Sequence, residues 1–246
     1  MIASDEKWSP GPAAPTLSGN AIHVWRASLN PPEDYLQRLA RTLSEDERDR
    51  SGRFYFEEDR RRFIVGRGVL REMLGRYLAV GPHELQFRYG PYGKPELAGD
   101  EALSFSVSHA RHFALYAFTW GCKVGIDIEY IRPTDHMELI IERHFTAREK
   151  AVLQSLSGSR KLEAFFVCWT SKEAYLKANG RGLTQALESI DVALHPTEDT
   201  RMFSVNEASF DAASWSLQTI RPAVDYIGAL AVARRGGEVS YWTLNE

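Results

Sequence analysis

The chain has 246 residues, of which 43% are hydrophobic and 26% charged, the composition of a globular protein with one large domain or two small ones. Its net charge of −3 excludes a generic nucleic-acid-binding protein, and no apolar run approaches the ~20 residues of a transmembrane helix. The two cysteines, Cys122 and Cys168, are too far apart for a CxxC zinc site and argue against a disulfide scaffold. We therefore expect a cytoplasmic protein with buried free thiols.

The first 20 residues are rich in Pro, Gly, Ala and Ser and predict a disordered tail. Ser44 and Glu47 form a capping-box pattern, which predicts the start of a helix. The periodicity of the apolar residues predicts the other elements in chain order, which are a strand over 21–29, helices over 34–43 and 59–78, strands over 85–89, 103–107, 113–118 and 123–130, helices over 137–156 and 162–178, and antiparallel strands over 190–194, 215–219, 226–233 and 240–244.

The order strand, helices, strands occurs twice in this series. It predicts an α+β fold of two similar α/β subdomains related by a pseudo-two-fold axis, each with an antiparallel sheet packed against helices. We place the tail at 1–20, the N-terminal subdomain at 21–120 and the C-terminal subdomain at 121–246. The active site is expected at the junction of the subdomains, because ligand sites often lie between two such units.

Two carboxylates, Asp127 and Glu129, lie on an otherwise apolar strand. Because strand side chains alternate between faces, both acids point to one side, while Ile126 and Ile128 point to the other. Two neighbouring carboxylates repel each other unless a cation neutralises them, and Mg²⁺ is the hard cation that combines carboxylates with substrate phosphates. The alternative is an edge strand with a solvated acidic face.

A second motif runs from Trp169 to Lys177, in which Glu173 and Lys177 share one helix face at i and i+4. On this spacing alone, an exposed ion pair on a surface helix is the competing interpretation. The glycines at 180 and 182 predict the end of the helix.

Two polar turns complete the candidate site. Ser106, Ser108 and His109 lie together at a strand end; without an elbow glycine pattern they do not indicate a hydrolase, and a phosphate contact suits them better. A polar turn without function is the alternative. Lys94, between Gly93 and Pro95, can present a positive charge to a phosphate, although no Walker pattern is present.

An arginine-rich stretch over residues 48–76 is interleaved with acidic residues, so that most of it predicts an ion-paired, solvated face with one or two arginines left for a ligand phosphate. Its arginines are Arg48, Arg50, Arg53, Arg60, Arg61, Arg62, Arg67, Arg71 and Arg76. The competing class of function is therefore a non-enzymatic phosphate- or nucleic-acid-binding module that uses this helix, whose binding would fall steeply with salt.

Taken in chain order, these motifs resemble the large, surfactin-synthetase-activating type of 4′-phosphopantetheinyl transferase. The resemblance spans roughly residues 44 to 183 and rests above all on the G-I-D-x-E motif at 125–129 and the W-x-x-K-E-x-x-x-K motif at 169–177, supported by the segments at 53–59, 93–95, 105–109 and 180–183. Two positions depart from the family pattern: Ser106, where the family usually has Asn, and Glu47, where some relatives carry a second basic residue.

The resemblance implies transfer of the 4′-phosphopantetheine arm of coenzyme A to a serine of an apo acyl or peptidyl carrier protein, with release of adenosine 3′,5′-bisphosphate. It implies that Asp127, Glu129 and Glu173 hold Mg²⁺, with Mn²⁺ as an alternative, and that Asp127, Glu173 and Lys177 are catalytic. The residues that it assigns to coenzyme A are Arg50, Lys94, Ser108, His109, Asp127, Glu173 and Lys177. Arg50 matches a position that binds the 3′-phosphate.

The resemblance leaves open whether Glu173 acts mainly as a general base or as a metal ligand. It also leaves open which carrier protein is served, among those of fatty-acid, polyketide or peptide synthesis and lysine metabolism. We expect a monomer that binds no nucleic acid and no membrane.

Overall fold

The computed structural model describes residues 8–99, 102–180, 187–192, 202–205, 211 and 214–244. Its α-helices are α1 Glu33–Thr42, α2 Glu45–Gly52, α3 Glu57–Leu78, α4 Met137–His144, α5 Ala147–Gln154 and α6 Gly158–Asn179. Its strands are β1 Ser9–Pro10, β2 Ile22–Ser28, β3 Phe87–Tyr89, β4 Pro95–Leu97, β5 Leu103–Ala110, β6 Phe113–Trp120, β7 Val124–Tyr130, β8 Ile190–Val192, β9 Met202–Val205, β10 Ser216–Ile220, β11 Tyr226–Val232 and β12 Val239–Thr243. A 3₁₀ turn covers Leu187–Ser189.

The first sheet contains five strands in the order β1-β12-β2-β6-β5. Apolar residues on one face of β2, β5 and β6 pack against α1 and α3, with Trp25, Tyr116 and Phe118 buried against Leu70 and Leu74 of α3. At the C-terminal end of α3, the Tyr77 hydroxyl lies 2.8 Å from both His23 Nδ1 and Trp25 Nε1, so that these buried polar groups satisfy one another.

The second sheet contains three strands in the order β10-β11-β7 and packs against α6. Ile126 and Ile128 of β7 point away from α6 and pack against Val24 and Leu115 of the first sheet. The two sheets therefore share one apolar layer, and β7 has this layer on one face and α6 on the other. The architecture is α+β with two sheet-and-helix units, as predicted.

The C-terminal strand changes the predicted topology. We expected the last strands to be antiparallel, but β12 runs parallel to β2, with Trp242 opposite Trp25. It thereby joins the sheet of the N-terminal half, because its aromatic side chains pack on that sheet: the Trp242 and Trp25 rings lie 4.8 Å apart. The predicted boundary between the subdomains at residues 120 and 121 stays a prediction. Strand β12 comes from the C-terminal side of this boundary but belongs to the five-stranded sheet of the N-terminal side.

The predicted disordered tail is wrong for residues 8–20. β1 pairs with β12, with Ser9 opposite Trp242. Leu17 is buried, and its carbonyl accepts a hydrogen bond from the Trp120 indole at 2.9 Å. The Pro- and Gly-rich composition of this segment did not prevent β1 from pairing at the edge of the first sheet, where it lies next to the aromatic residues of β12. Residues 1–7 lie outside the described residues.

The predicted helix over 137–156 is two helices. Thr146 starts the second helix as its N-cap. Its side chain accepts a hydrogen bond from the Glu149 amide, and the Glu149 carboxylate accepts one from the Thr146 amide. Phe145, between α4 and α5, is buried and stacks on Phe165 at 5.6 Å. Residues 193 and 194 of the predicted strand over 190–194 lie outside the described residues. No helix in the described part of the chain is long and apolar enough to cross a membrane.

Candidate active site

Three elements meet at a polar cluster between the two sheets. Ser108 lies near the end of β5, Asp127 in the middle of β7 and Lys177 in the last turn of α6. The Lys177 ammonium lies 2.6 Å from Asp127 Oδ1 and donates to Ser108 Oγ at 2.8 Å, while the Ser108 hydroxyl donates to the same Asp127 oxygen at 2.8 Å. The three side chains form a closed triangle across 69 residues of sequence.

Gly125 allows α6 to approach β7 this closely. A Cβ at this position would lie 1.9 Å from the carbonyl oxygen of Ala174 and 2.4 Å from the amide nitrogen of Ala178. Because Gly125 lies two residues before Asp127 on the same face of β7, the contact sets the helix directly beside the carboxylate. Glu173 and Lys177 flank the segment of α6 that packs on this glycine.

The carboxylates of the cluster are destabilised in their charged forms. Burial, the Asp127 carboxylate and the neighbouring Glu173 raise the pKa of Glu129 to about 7, against the effect of Lys177. Burial and Asp127 likewise raise the pKa of Glu173 above its usual value. Asp127 Oδ2 and Glu173 Oε1 are buried without a hydrogen-bond partner among the described residues. Three carboxylates thus crowd a space in which the charge of Lys177 neutralises them incompletely.

This donor set fits a hard divalent cation, because carboxylate oxygens without other partners are the ligands that Mg²⁺ takes. In the described part of the chain, no group of three or more His, Cys, Asp or Glu side chains is gathered tightly enough to form a metal site as it stands. The assignment of Asp127, Glu129 and Glu173 as metal ligands therefore stays a prediction.

A cleft of about 280 Å³ opens beside the cluster. Its lining residues are Tyr92, Gly93, Lys94, Pro95, Phe105, Ser106, Val107, Glu173, Leu176, Lys177 and Gly180. Lys94 is half-buried and donates to the Val124 carbonyl at 3.2 Å. Burial lowers the pKa of Lys94 to about 8, so that an anion in the cleft would favour its protonated form.

Ser106 has a structural contact that the sequence did not predict. Its hydroxyl accepts the backbone amide of Ile126 at 3.1 Å and so ties β5 to β7, although the two strands belong to different sheets. A polar side chain is needed here because the Ile126 amide is buried. The departure from the family's Asn thus preserves a hydrogen-bonding residue between the strands.

The remaining candidates lie around the end of β5. His109 is exposed, and partial burial of its ring together with the charges of Lys177 and Arg62 lowers its pKa. Arg50 is exposed at the end of α2, with its guanidinium 5.2 Å from the centre of the Phe63 ring. Neither side chain belongs to the triangle of Ser108, Asp127 and Lys177.

Comparison with known proteins decides the family. The model of the 4′-phosphopantetheinyl transferase superfamily matches residues 123–231, and that of the N-terminal part of 4′-phosphopantetheinyl transferases matches residues 27–120. The 4′-phosphopantetheinyl transferase HetI of Nostoc sp. (strain PCC 7120 / SAG 25.82 / UTEX 2576) is 43% identical over 96% of this chain and 97% of its own length.

The chain belongs to the 4′-phosphopantetheinyl transferase superfamily.

The chain is also similar to a second curated transferase and to a solved structure. The 4′-phosphopantetheinyl transferase Sfp of Bacillus subtilis (strain 168) is 30% identical over 65% of this chain and 70% of its own length. A crystal structure of a holo-(acyl-carrier-protein) synthase from Bacillus anthracis str. Ames, in complex with CoA (3′,5′-ADP), is 26% identical with a TM-score of 0.37, over 45% of this chain and 93% of that chain. The predicted family is confirmed, and the protein is an enzyme of this kind.

The structure brings together most of the predicted residues of the enzyme. Lys177 pairs with Asp127 across the cluster, which contradicts the alternative of a solvated acidic face on β7. The individual roles of Arg50, Lys94, Ser108 and His109 stay predictions. The sequence missed Gly125 as the point of contact with α6, although a glycine inside a strand is itself a signal of close backbone approach.

The sequence also missed a buried pair next to the site. Lys172 and Glu149 are fully buried with a 2.7 Å contact, and Lys172 also donates to the carbonyls of His144 and Leu187. This pair ties α4, α5 and the 3₁₀ turn to α6 one residue before Glu173. A lysine inside the W-x-x-K-E motif was the available signal.

The arginine-rich stretch is largely neutralised, as predicted. Arg60, Arg61 and Arg62 pair with Glu57, Glu33 and Glu58 on the surface. Further ion pairs join Arg67 and Arg71 to Glu47, and Arg76 to Glu72. Because its positive charges are paired with negative ones, this surface lacks the basic patch that is typical of nucleic-acid-binding proteins.

Proposed function

We propose that the enzyme transfers the 4′-phosphopantetheine arm of coenzyme A to a serine of an apo carrier protein, releasing adenosine 3′,5′-bisphosphate and using Mg²⁺. The observation that carries the proposal is the triangle of Ser108, Asp127 and Lys177 beside a cleft that also contains Lys94 and Glu173. Two cations and a hydroxyl suit a pyrophosphate, and unpartnered carboxylate oxygens suit the cation that accompanies it.

Asp127 and Glu129 would hold the metal, and Glu173 would be either its third ligand or the general base, because one carboxylate cannot be a tight metal ligand and a free base at the same time. When bound, Mg²⁺ supplies electrostatic neutralisation of the pyrophosphate oxygens. The protein's own groups hold the substrate: Lys177 and Lys94 offer positive charges, and Ser108 and His109 offer hydrogen bonds to phosphate oxygens. Because the cluster is largely buried, these charges act in a medium of low dielectric constant and stabilise negative charge that builds up on the leaving group.

The reaction then needs a base. The carrier serine oxygen forms a bond to the phosphorus attached to pantetheine, and the bond from that phosphorus to the bridging oxygen breaks. The electron pair leaves with adenosine 3′,5′-bisphosphate. Where Asp127 and Glu129 hold the metal without Glu173, the serine proton goes to Glu173, directly or through water. The raised pKa of Glu173 favours this role, since a base works best when its pKa approaches the ambient pH. The proposal includes the cytoplasmic location and the monomeric state that the sequence predicts.

A mass measurement tests the proposal. The enzyme is incubated with coenzyme A, Mg²⁺ and several apo carrier proteins, each matched by a variant with alanine in place of the acceptor serine. We expect the mass of phosphopantetheine to appear on at least one wild-type carrier and on none of the serine variants. Absence of the adduct from every carrier of acyl and peptidyl type would contradict the function, and salt-sensitive binding of polyanions would then favour the binding-module alternative.

Asp127→Asn tests the metal. The substitution removes a charge but retains the size of the side chain, and we expect transfer to fall about 10²-fold or more, the scale for loss of one preorganised charge. Asp135→Asn, at an exposed position outside the site, is the matched control and should leave the rate unchanged. Wild-type transfer that persists in excess chelator would refute the metal requirement.

A further inference from the structure

Helix α6 carries a buried charge that the proposed reaction does not use. The Lys172 side chain is fully buried, and its ammonium lies 2.7 Å from Glu149 Oε2. The ammonium also donates to the carbonyl oxygens of His144 at 3.1 Å and Leu187 at 2.9 Å. Because an ammonium has three N–H bonds, these three acceptors use all of them. Lys172 therefore has no donor left for a phosphate of the substrate.

The Glu149 carboxylate is held just as fully. Its Oε2 also accepts the Thr146 amide at 2.8 Å, and its Oε1 accepts the Val192 amide at 2.8 Å. Together with Lys172, this carboxylate joins the end of α4, the start of α5, the 3₁₀ turn and β8 to one point on α6. Loss of either charge would leave the other buried without compensation, so the two groups hold each other in place.

The surroundings of Lys172 do not require a charge for packing. Its Nζ lies 5.2 Å from the centre of the Phe145 ring, and Cys168, about one turn earlier on α6, is fully buried. Replacement of a buried ion pair by uncharged side chains of similar size is often neutral or stabilising. An uncharged side chain could fill this space, but an ammonium bonded to three fixed acceptors also fixes the direction in which the helix faces.

The direction of Glu173 depends on the rotation of α6 about its own axis. The backbone of Ala174 and Ala178 packs against Gly125, which fixes the distance between helix and strand. A glycine has no side chain that interlocks with the helix, so other contacts must fix the rotation. Glu173 Oε1 is buried without a hydrogen-bond partner among the described residues. For a carboxylate about 6 Å from the helix axis, a rotation of about 10° is a displacement of about 1 Å.

We propose that Lys172 is a positioning residue for Glu173: its bonds to Glu149 and to two backbone carbonyls fix the rotation of α6 and so direct the neighbouring carboxylate at the reacting groups. Lys172 itself contacts neither substrate. Consecutive residues of a helix point about 100° apart, so an anchor at one residue sets the direction of the next. The inference rests on the proposed function, and it applies to Glu173 as a metal ligand and as a general base alike.

A double substitution separates positioning from stability. Lys172→Met alone leaves the Glu149 carboxylate buried without its cation and should lower the melting temperature markedly. Lys172→Met combined with Glu149→Gln removes both charges but retains the side-chain sizes, and it should recover most of that loss. In the double variant we expect kcat to fall about 10²-fold, the scale for a misplacement of about 1 Å, while the KM for coenzyme A changes less than about threefold.

Lys161→Met combined with Glu138→Gln is the matched control. This lysine and glutamate also join α6 to α4, at 2.6 Å, but the glutamate is exposed. Their replacement should leave kcat and the KM for coenzyme A at the wild-type values.

Two kinetic results would overturn the proposal. A folded double variant with the kcat of the wild type would show that Lys172 and Glu149 only stabilise the fold. A KM for coenzyme A that rises about tenfold or more with unchanged kcat would place Lys172 in contact with the substrate. If the double variant has no cooperative melt, Glu149→Asp replaces it: both charges remain, but the anchor is shorter by about 1.5 Å. This variant should lower kcat about tenfold or more, and a wild-type kcat would refute the positioning role.

Failure of the proposed function is visible separately, as absence of transfer by the wild-type enzyme. The position of Glu173 is then measured directly, in crystal structures of the wild type and of the folded variant. The distance from the Glu173 carboxylate to Asp127 Oδ2 should differ by about 1 Å or more between the two structures. The same distance in both would show that Lys172 does not direct Glu173.

Discussion

At the centre of the site, the two oxygens of Asp127 have different surroundings. Oδ1 receives the Lys177 ammonium and the Ser108 hydroxyl, whereas Oδ2 is buried without a hydrogen-bond partner in the described part of the chain. A buried carboxylate oxygen without a partner costs free energy. Half of this carboxylate is thus held in position while the other half is free to bind, which is the arrangement that a ligand-binding group needs.

Glu129 predicts how the stability of the metal-free enzyme depends on pH. Its folded-state pKa of about 7 lies above the ordinary value of 4.5, so the folded protein binds the proton more tightly than the unfolded chain. The free energy of unfolding should therefore fall as pH rises from 4.5 to 7, by on the order of 2 kcal/mol after allowance for solvent at the cleft. Urea unfolding in chelator at pH 5 and pH 8 measures the change.

Glu129→Gln is the comparison for this measurement, because it removes the titrating group and retains its size. The variant should lose much of the decrease in stability between pH 5 and pH 8. Addition of Mg²⁺ should stabilise the wild type more at pH 8 than at pH 5, because only the deprotonated carboxylate binds a cation. A wild type and a variant with the same pH dependence would show that the Glu129 carboxylate is not crowded as the structure indicates.

At the scale of elements, the contact between α6 and β7 determines the site. Glu173 and Lys177 project toward the strand because the helix axis passes close over Gly125. Residues at i and i+4 share a helix face, so this one contact orients both side chains. The position of two candidate catalytic groups thus depends on a residue without a side chain.

Gly125→Ala should therefore damage both the fold and the activity. The added methyl group would lie 1.9 Å from the Ala174 carbonyl oxygen, and because backbone atoms cannot rotate away, α6 must shift. We expect a loss of roughly 2–4 kcal/mol in the free energy of unfolding, as for other overpacked sites, together with a fall in transfer. Thermal melts and single-turnover transfer rates measure the two effects.

Gly66→Ala is the matched control for this substitution. Gly66 lies inside α3 with open space where a Cβ would be added. Alanine is the better helix former, so this variant should be more stable than wild type by about 0.5–1 kcal/mol. If Gly125→Ala behaved like Gly66→Ala, the close packing of α6 on β7 would be wrong.

At the scale of the whole molecule, the two sheet-and-helix units are not independent. Val24 and Leu115 of one sheet bury the same apolar layer as Ile126 and Leu230 of the other. Strand β12 also crosses from the C-terminal half to pair with β2. Each half alone would expose apolar side chains that the other half covers.

We expect that fragments 1–120 and 121–246, expressed separately, do not fold. The N-terminal fragment lacks β12, so that both β1 and the outer edge of β2 lose their partner strand. Circular dichroism melts of each fragment should lack a cooperative transition, and mixing the fragments should restore one. A cooperative melt of either fragment alone would contradict the shared core and would support two autonomous domains.

Local patterns in the sequence determined the elements and the chemistry of the site. The alternation along 124–130 placed Asp127 and Glu129 on one face, and the helical spacing of 173 and 177 placed Glu173 and Lys177 on another. Both inferences succeed because strand and helix periodicities depend only on neighbouring residues. The capping box at Ser44 and Glu47 was found in the same way.

Only the tertiary structure decided which of these groups meet. Lys177 contacts Asp127, 50 residues away, and Glu47 binds Arg71 as well as capping α2. The direction of β12 likewise depends on how helices and sheets pack. Such contacts join residues far apart in the chain, so that no local periodicity encodes them; they follow from the burial of apolar faces over the whole molecule.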